Sequence, residues 1–351
     1  MSVITGAAPP IQLEPFASDI PVFRGSGQVF VADTCAPLKT AGERGEVGLW
    51  AYGRGTYPGE PIEPGILPQL KNVGHWEVAS QQDWGLDWHR NEGIEITCVR
   101  AGSLPFSCAG EDFELRPGSV TITRPWQLHR VGRPLVGPST LTWLILDVGV
   151  RRPNQDWVWP AWLPMPASDL ERLTELLSHN ESPVWLANRQ LLAAMDNLQR
   201  TLKRETTQPM ARIATSVAEV FIELGDLLEN ARPILNPYLS STERTVRLFL
   251  ESLPERIHEP WTTDMMAAAC GLGRTRFAHY CREMVNASPL EYLTLQRVAR
   301  AKQLLQATDL RITDIAFQCG FQSSQYFATV FRRYVGVSPG ALRDAQIRRA
   351  S

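Results

Sequence analysis

Two hydrophobic periodicities divide the chain. From Gly74 to about Val150 the apolar residues fall in short β-type runs, such as Ile94–Val99, Ser119–Thr123 and Leu141–Leu146. Gly102, Gly110, Pro117-Gly118 and Gly132 separate them. Short strands at this spacing predict a sandwich or barrel. Residues 1 to about 70 are rich in Pro and Gly, with apolar runs such as Gln28–Ala32, and read as a loose extension followed by strands. After Pro166 the spacing becomes helical: Leu170, Leu173, Leu176 and Leu177, then Leu191, Leu192, Met195, Leu198 and Leu202. Ile213, Val217, Val220, Leu224 and Leu227 follow at intervals of four and three, the pattern of an a/d seam. The seam spans only about two heptads, so it suits either an intersubunit contact or a helix packed on its own domain.

The C-terminal hundred residues repeat themselves. Ala267, Cys270-Gly271-Leu272, Phe277, Cys281 and Ser288-Pro289 recur as Ala316, Cys319-Gly320-Phe321, Phe327, Phe331 and Ser338-Pro339. A helix-turn-helix needs each of these features, because it crosses two helices at a steep angle through a very short turn. Ala267 and Ala316 allow close approach. Gly271 and Gly320 end the first helix, where a left-handed backbone costs Gly least. Leu272 and Phe321 plug the turn, and the later pairs form the buried stripe of the second helix. Thr263 and Thr313, each followed by Asp, are the expected N-caps. Between the copies, Pro289 to Leu305 has no internal Pro or Gly and predicts one connecting helix.

Charge sharpens this division. The net charge of -2 conceals 15 Lys and Arg against 9 Asp and Glu from Arg244 to Ser351, with the acidic excess in the remainder. A basic C-terminal piece on an acidic partner fits a nucleic-acid reader joined to a sensing domain. Ten of the 11 Trp precede Arg244, which suits either a core or a pocket with aromatic faces. Six Cys show no CxxC spacing, which argues against a zinc or redox motif, and they are expected to be small buried residues. The N-terminus lacks the basic start and apolar run of a signal peptide. The most apolar stretch, Leu141–Val150, is too short to span a bilayer. A cytoplasmic protein without membrane contact is expected.

The C-terminal repeat resembles the DNA-binding domain of the AraC/XylS family of bacterial regulators. The second unit carries the resemblance in Ile315-Ala316, Gly320-Phe321, Tyr326-Phe327, Phe331 to Tyr334, Gly336 to Pro339 and Arg343, and the connecting helix in Arg297, Ala301 and Leu304-Leu305. The first unit departs from it at Gly273, where the family has serine, and at Cys281, where it has phenylalanine. The resemblance implies that the first recognition helix presents Arg274, Thr275, Arg276, Ala278 and His279 to DNA, and the second Ser324, Gln325, Ala328 and Thr329. Gln325 suits a bidentate contact to adenine and His279 a guanine edge. Arg276, Arg282, Arg332 and Arg333 suit phosphate.

The run His89 to Glu95, followed by Gly102, resembles the first motif of a cupin barrel, with Asn91 at the place of its second histidine. Pro117-Gly118, Pro125 and His129 resemble the second motif at slightly shifted spacing. His89, Glu95 and His129 would be the metal ligands of such a site. The resemblance to regulators points instead to a small-molecule pocket without metal or cofactor. The candidate effector residues are His89, Asn91, Glu95, Trp126 and His129, with Trp84, Trp88 and Trp126 as stacking surfaces.

The expected organisation is an α+β multidomain chain. It runs from an N-terminal extension (1–45) to a cupin-like β-barrel that senses an effector (46–165), then a helical linker or dimerisation segment (166–240) and an all-α domain with two helix-turn-helix units (241–351). The expected function is transcription regulation without enzymatic activity. The expected partners are operator DNA, a small molecule (on family analogy a sugar), a second copy of the chain as a homodimer, and RNA polymerase. Two alternatives stand beside it: a metal-dependent cupin enzyme with a DNA-binding tail, and an architectural DNA binder without a ligand.

Overall fold

The computed structural model describes the main chain of residues 35–350 and the side chains of residues 35–345. Before these it describes three short strands, β1 (Leu13–Pro15), β2 (Pro21–Gly25) and β3 (Gln28–Val31), which form a small sheet. The rest of the expected extension before residue 35 lies outside the described residues. Contacts group essentially residues 30–240 into one unit and 241–351 into another.

The larger unit begins with α1 (Ala36–Glu43), β4 (Gly48–Gly53), β5 (Glu60–Pro61), β6 (Leu70–Val78), β7 (Leu86–His89) and β8 (Ile94–Gly102). It continues through β9 (Leu104–Cys108), β10 (Glu111–Leu115), β11 (Ser119–Thr123), β12 (His129–Val131) and β13 (Ser139–Leu146). It ends with α2 (Ala167–His179), β14 (Val184–Leu186), α3 (Arg189–Lys203) and α4 (Pro209–Ala231). Seven strands form one sheet in the order β14-β11-β8-β13-β6-β4-β5, antiparallel except for the β4–β5 pair. Four form a second, β10-β9-β12-β7, antiparallel throughout.

Strand alternation gives the larger sheet two buried faces. On β13, Leu141, Trp143 and Ile145 join Leu86, Leu104, Phe106 and Val131 of the smaller sheet in one core. The opposite face, through Leu144 and Leu146, joins Leu173, Leu177, Leu198, Val217, Phe221 and Leu224 of the helices in another. The β-rich domain is therefore three layers: small sheet, large sheet, helices.

This arrangement corrects two expectations and selects the second reading of the Ile213–Leu227 seam. Residues 166–240 are not a separate linker: α2, α3 and α4 cover one face of the sheet, and β14 pairs with its edge strand β11. All five a/d residues of α4 are buried in this internal core, so the seam is not an exposed contact surface for a second chain. The extension does not reach residue 45 either, because Cys35, Leu38 and Ala41 pack into the inter-sheet core.

The second unit is helical: α5 (Thr242–Ser252), α6 (Thr263–Ala269), α7 (Arg274–Val285), α8 (Pro289–Ala307), α9 (Ile312–Gln318), α10 (Ser324–Val335) and α11 (Pro339–Ala350). It has two small cores. Phe249, Trp261, Met266, Ala267, Phe277 and Cys281 fill the first, and Ile315, Ala316, Phe321, Phe327 and Phe331 the second. The connecting helix α8 serves both, giving Leu293 to one and Val298, Ala301 and Leu305 to the other. A capping box between Ser288 and Glu291, with Pro289 in the first turn, fixes its start.

All six cysteines are buried. Burial pushes the Cys98 and Cys281 thiols up to about 12 and Cys319 up to about 11, so they pack as small apolar groups.

Candidate functional site

The two helix-turn-helix units are built alike down to single hydrogen bonds. Gly271 and Gly320 take left-handed backbones, φ 67° and 78°. The following residue then reaches back five positions: Leu272 N–H donates to the Ala267 carbonyl at 2.9 Å, and Phe321 N–H to the Ala316 carbonyl at 3.0 Å. This six-to-one bond closes the helix end and turns the apolar side chain inward. The N-caps differ from expectation by one or two positions. Thr262, not Thr263, caps α6, because its backbone is extended and its hydroxyl accepts from Met265 N–H. Thr313 lies inside α9, whose cap position is held by Arg311 with no side-chain capping bond.

The second helix of each unit, α7 or α10, buries one stripe and exposes the other. Phe277 with Cys281, and Phe327 with Phe331, are fully buried. Arg274, Thr275, Arg276 and His279 are exposed on α7, with Ala278 half-buried. Gln325, Thr329, Arg332 and Arg333 are exposed on α10, with Ser324 and Ala328 half-buried. The cap of α10 is Ser323, whose hydroxyl accepts from Tyr326 N–H at 3.2 Å. Arg274 is already engaged: its Nε donates to Asp264 Oδ1 at 2.7 Å and a second nitrogen bonds the other carboxylate oxygen. This fork ties α7 to α6 across the turn.

The contact that locks the two helix-turn-helix units together joins residues far apart along the chain. Arg297 on α8 donates to the carbonyls of Ile257 and Glu259, each at 2.8 Å. The turn glycine of the second unit, Gly320, sits against this same segment. A Cβ there would lie 2.4 Å from the Ile257 carbonyl oxygen and 2.9 Å from the Arg297 guanidinium.

In the β-rich domain the structure gathers His89, Asn91, Glu95 and His129. His89 ends β7 and His129 opens β12, as direct cross-strand partners with ring centroids 4.2 Å apart. Glu95 points from β8 toward them, on the face opposite Ile94 and Ile96. His129 Nε2 lies 2.8 Å from Glu95 Oε2, and Asn91 Nδ2 donates to the same oxygen at 2.8 Å. Each imidazole is oriented from behind, with Nδ1–H donating to a backbone carbonyl: Asp87 at 2.6 Å for His89 and Gln127 at 2.8 Å for His129. Burial pushes the Glu95 carboxyl up, but His129, His89 and Asn91 outweigh it and hold it below the ordinary range.

Trp126 contacts the cluster through its backbone. Its indole N–H donates to the Val150 carbonyl at 2.9 Å, while its backbone N–H donates to the Asn91 carbonyl at 2.8 Å. Of the other expected stacking surfaces, Trp84 packs edge-on against Trp76 at the inter-sheet core. Trp88 is exposed beneath the Arg130 guanidinium.

Behind Asn91 runs a buried polar chain that sequence reading missed. Tyr57 O–H donates to Glu92 and lies 3.3 Å from Asn91 Oδ1. Burial, and then Glu92, push the Tyr57 hydroxyl well above its ordinary value. Lys71 bridges Glu92 at 3.3 Å and Asp147 at 3.5 Å, and Arg151 holds Asp147 with two bonds of 2.9 and 2.7 Å. These groups come from four separate segments, so no single local spacing announces them.

Two family models match. Residues 266–345 fit a helix-turn-helix domain, and residues 77–218 fit the AraC-like ligand binding domain. The chain belongs to the AraC family. It is a DNA-binding transcription regulator of that family with an N-terminal ligand-binding domain. The ligand-binding match continues past residue 166 into α4, in keeping with helices that share the sheet's core. Among AraC-family relatives, the transcriptional activator RhaS of Escherichia coli is 25% identical over 258 residues, 74% of this chain and 87% of RhaS. The transcriptional regulator GbdR of Pseudomonas aeruginosa is 25% identical over 156 residues, 44% of this chain and 42% of GbdR. The DNA-binding domain of the transcriptional factor AdpA, solved with a target DNA, is 33% identical; the match covers 28% of this chain and 94% of that domain, with a TM-score of 0.28. Among the described residues no helix is long and apolar enough to cross a membrane.

Proposed function

We propose that this AraC-family regulator reads its operator through the exposed faces of α7 and α10 and adjusts that reading to a small molecule held at the Glu95 cluster. The observation that carries the DNA reading is the duplication itself. Two identically closed turns each hold a second helix whose apolar stripe is spent on its own core, leaving a polar face outward. Thr275, Arg276, Ala278 and His279 of α7, with Ser324, Gln325, Ala328 and Thr329 of α10, form the candidate reading surface. Arg274 serves more as a brace than a reader, given its fork to Asp264. Arg332 is a phosphate contact. Selection of binding sites from a random duplex pool tests this directly. Two enriched blocks about one helical turn apart are expected. A pool with no enriched motif, and binding that only collapses with salt, would count against sequence reading.

Gln325→Ala removes the one exposed carboxamide that opens α10. Affinity for the selected site should fall by about 1–3 kcal/mol, roughly 5- to 150-fold, with base preference relaxed in one block only. Equilibrium titration of both proteins on the selected and a scrambled duplex measures it. An equal loss on both duplexes would assign Gln325 to backbone contact.

For the sensor, His89, Asn91, Glu95 and His129 offer fixed donors and acceptors between two apolar sheets, as small-molecule sites do. Trp126 belongs to it through its backbone bond to Asn91. A sugar is the proposed effector class, supported by the hydroxyl-binding character of the cluster. The regulator acts without catalysis, in the cytoplasm, as a homodimer and with RNA polymerase; family membership supports these features. With the α4 seam buried, the dimer contact must lie on another face.

A further inference from the structure

We propose that His89, Glu95 and His129 bind a divalent first-row transition-metal ion inside the ligand-binding domain. The inference deepens the sensor reading and rests on it, and it departs from the metal-free pocket expected from the sequence. One ligand atom from each residue lies within 4.8 Å of the other two. Metal bonds of roughly 2.0–2.2 Å to imidazole and carboxylate need such atoms to close to about 3–4 Å, a movement side chains can supply.

The donor chemistry fits in three respects. First, both rings spend Nδ1–H on backbone carbonyls, which leaves Nε2 of each as the ligand atom. Orientation of a ligating histidine through its far nitrogen is the usual support around a bound metal. Second, Glu95 already turns a carboxylate oxygen toward the imidazoles, with Oε2 2.8 Å from His129 Nε2. Third, the three residues sit on three strands, β7, β8 and β12, so the ligands come from separate elements. Two imidazoles and one carboxylate suit zinc or iron(II), both of which accept further oxygen ligands. Asn91, hydrogen-bonded to Glu95 Oε2, fixes the carboxylate rather than adding a fourth strong ligand. An effector with neighbouring hydroxyl or carboxylate oxygens would complete the sphere.

The test uses the full-length protein, stripped with chelator and titrated with Co2+ as a spectroscopic probe and Zn2+ by equilibrium dialysis. One ion per chain is expected, with a cobalt spectrum of nitrogen and oxygen ligation and no thiolate charge-transfer band. His129→Gln and Glu95→Gln should each weaken binding at least tenfold, and Cys108→Ser should leave it unchanged. Histidine-selective 15N NMR of the wild-type protein supplies a readout independent of variant folding: Zn2+ should shift Nε2 of His89 and His129. No bound ion, thiolate ligation, or imidazole signals unmoved by Zn2+ would overturn the proposal. Duplex selection and sugar-dependent DNA binding can be run without added metal. Absence of the ion would leave the sensor reading intact, whereas failure of sugars to alter DNA binding in a metal-loaded chain would strike the sensor reading alone.

Discussion

Gly320→Ala should destabilise the helical unit by about 2–5 kcal/mol. Two costs add. A left-handed backbone disfavours any Cβ by roughly 1–2 kcal/mol. Here the new methyl also meets main chain: the Ile257 carbonyl oxygen at 2.4 Å and His258 Cα at 2.9 Å. Neither can swing away as a side-chain tip could, and overpacking of this kind costs roughly 1–3 kcal/mol. Gly336 separates the two terms. It has φ 86° but open space around its Cβ position, so Gly336→Ala should show only the backbone cost. Gly273, open and without a positive φ, should tolerate Ala. Calorimetry of the full chain reads all three. Equal effects at Gly320 and Gly336 would show that the contact with residues 257–258 contributes nothing. Because that contact joins the second turn to the first unit, Gly320→Ala should also weaken binding to two-block DNA more than to either block alone.

Asp147→Ala should cost the β-rich domain about 3–5 kcal/mol, the usual penalty for removing one partner of a buried ion pair. The carboxylate is held by both Arg151 nitrogens, by Lys71 and by Gly149 N–H at 2.8 Å, and both side chains of the Arg151 pair are 7% exposed. Its loss leaves two cations facing each other in the interior. The same network predicts a pH dependence. Burial raises the Asp147 carboxyl, but Arg151 and then Lys71 outweigh it, so its folded value lies below its unfolded one. Its stabilisation is therefore complete above the unfolded carboxylate value, about 3.9, and is lost as pH falls through the folded value. The melting-temperature gap between wild type and Asp147→Asn should stay constant from neutral pH to about 5 and shrink in stronger acid. A gap that is flat down to unfolding would mean that Asp147 gains nothing from being ionised. Since Lys71 leads on to Glu92, Tyr57 and Asn91, the Ala variant should also alter the sensor site.

The double helix-turn-helix was legible because its signals are local. A glycine after a helix, an alanine four residues before it and an apolar pair at i, i+4 describe contacts within some fifteen residues. The structure bears out each of them. The caps were misplaced because Thr262 and Thr263 are chemically equal, and only the backbone angle tells which stands outside the helix. The His89–Glu95–His129 group was legible as a spacing, although its meaning was not. Whether Nδ1 or Nε2 faces the site depends on carbonyls two residues upstream in each case, a matter of strand geometry.

By itself the sequence determined the order of the modules, the strand and helix periods, the exposed faces of α7 and α10, and which residues could form a polar cluster. Each follows from side-chain chemistry at short range. The tertiary structure decided which buried surface each apolar stripe meets, and so turned the α4 seam from a possible interface into the covering of a sheet. It also decided the partners that distant segments bring together: Arg297 with residues 257 and 259, and Asp147 with Lys71. An a/d pattern states only that a face must be buried. Burial is non-directional, so what buries it is settled only when the whole chain competes for the same surface.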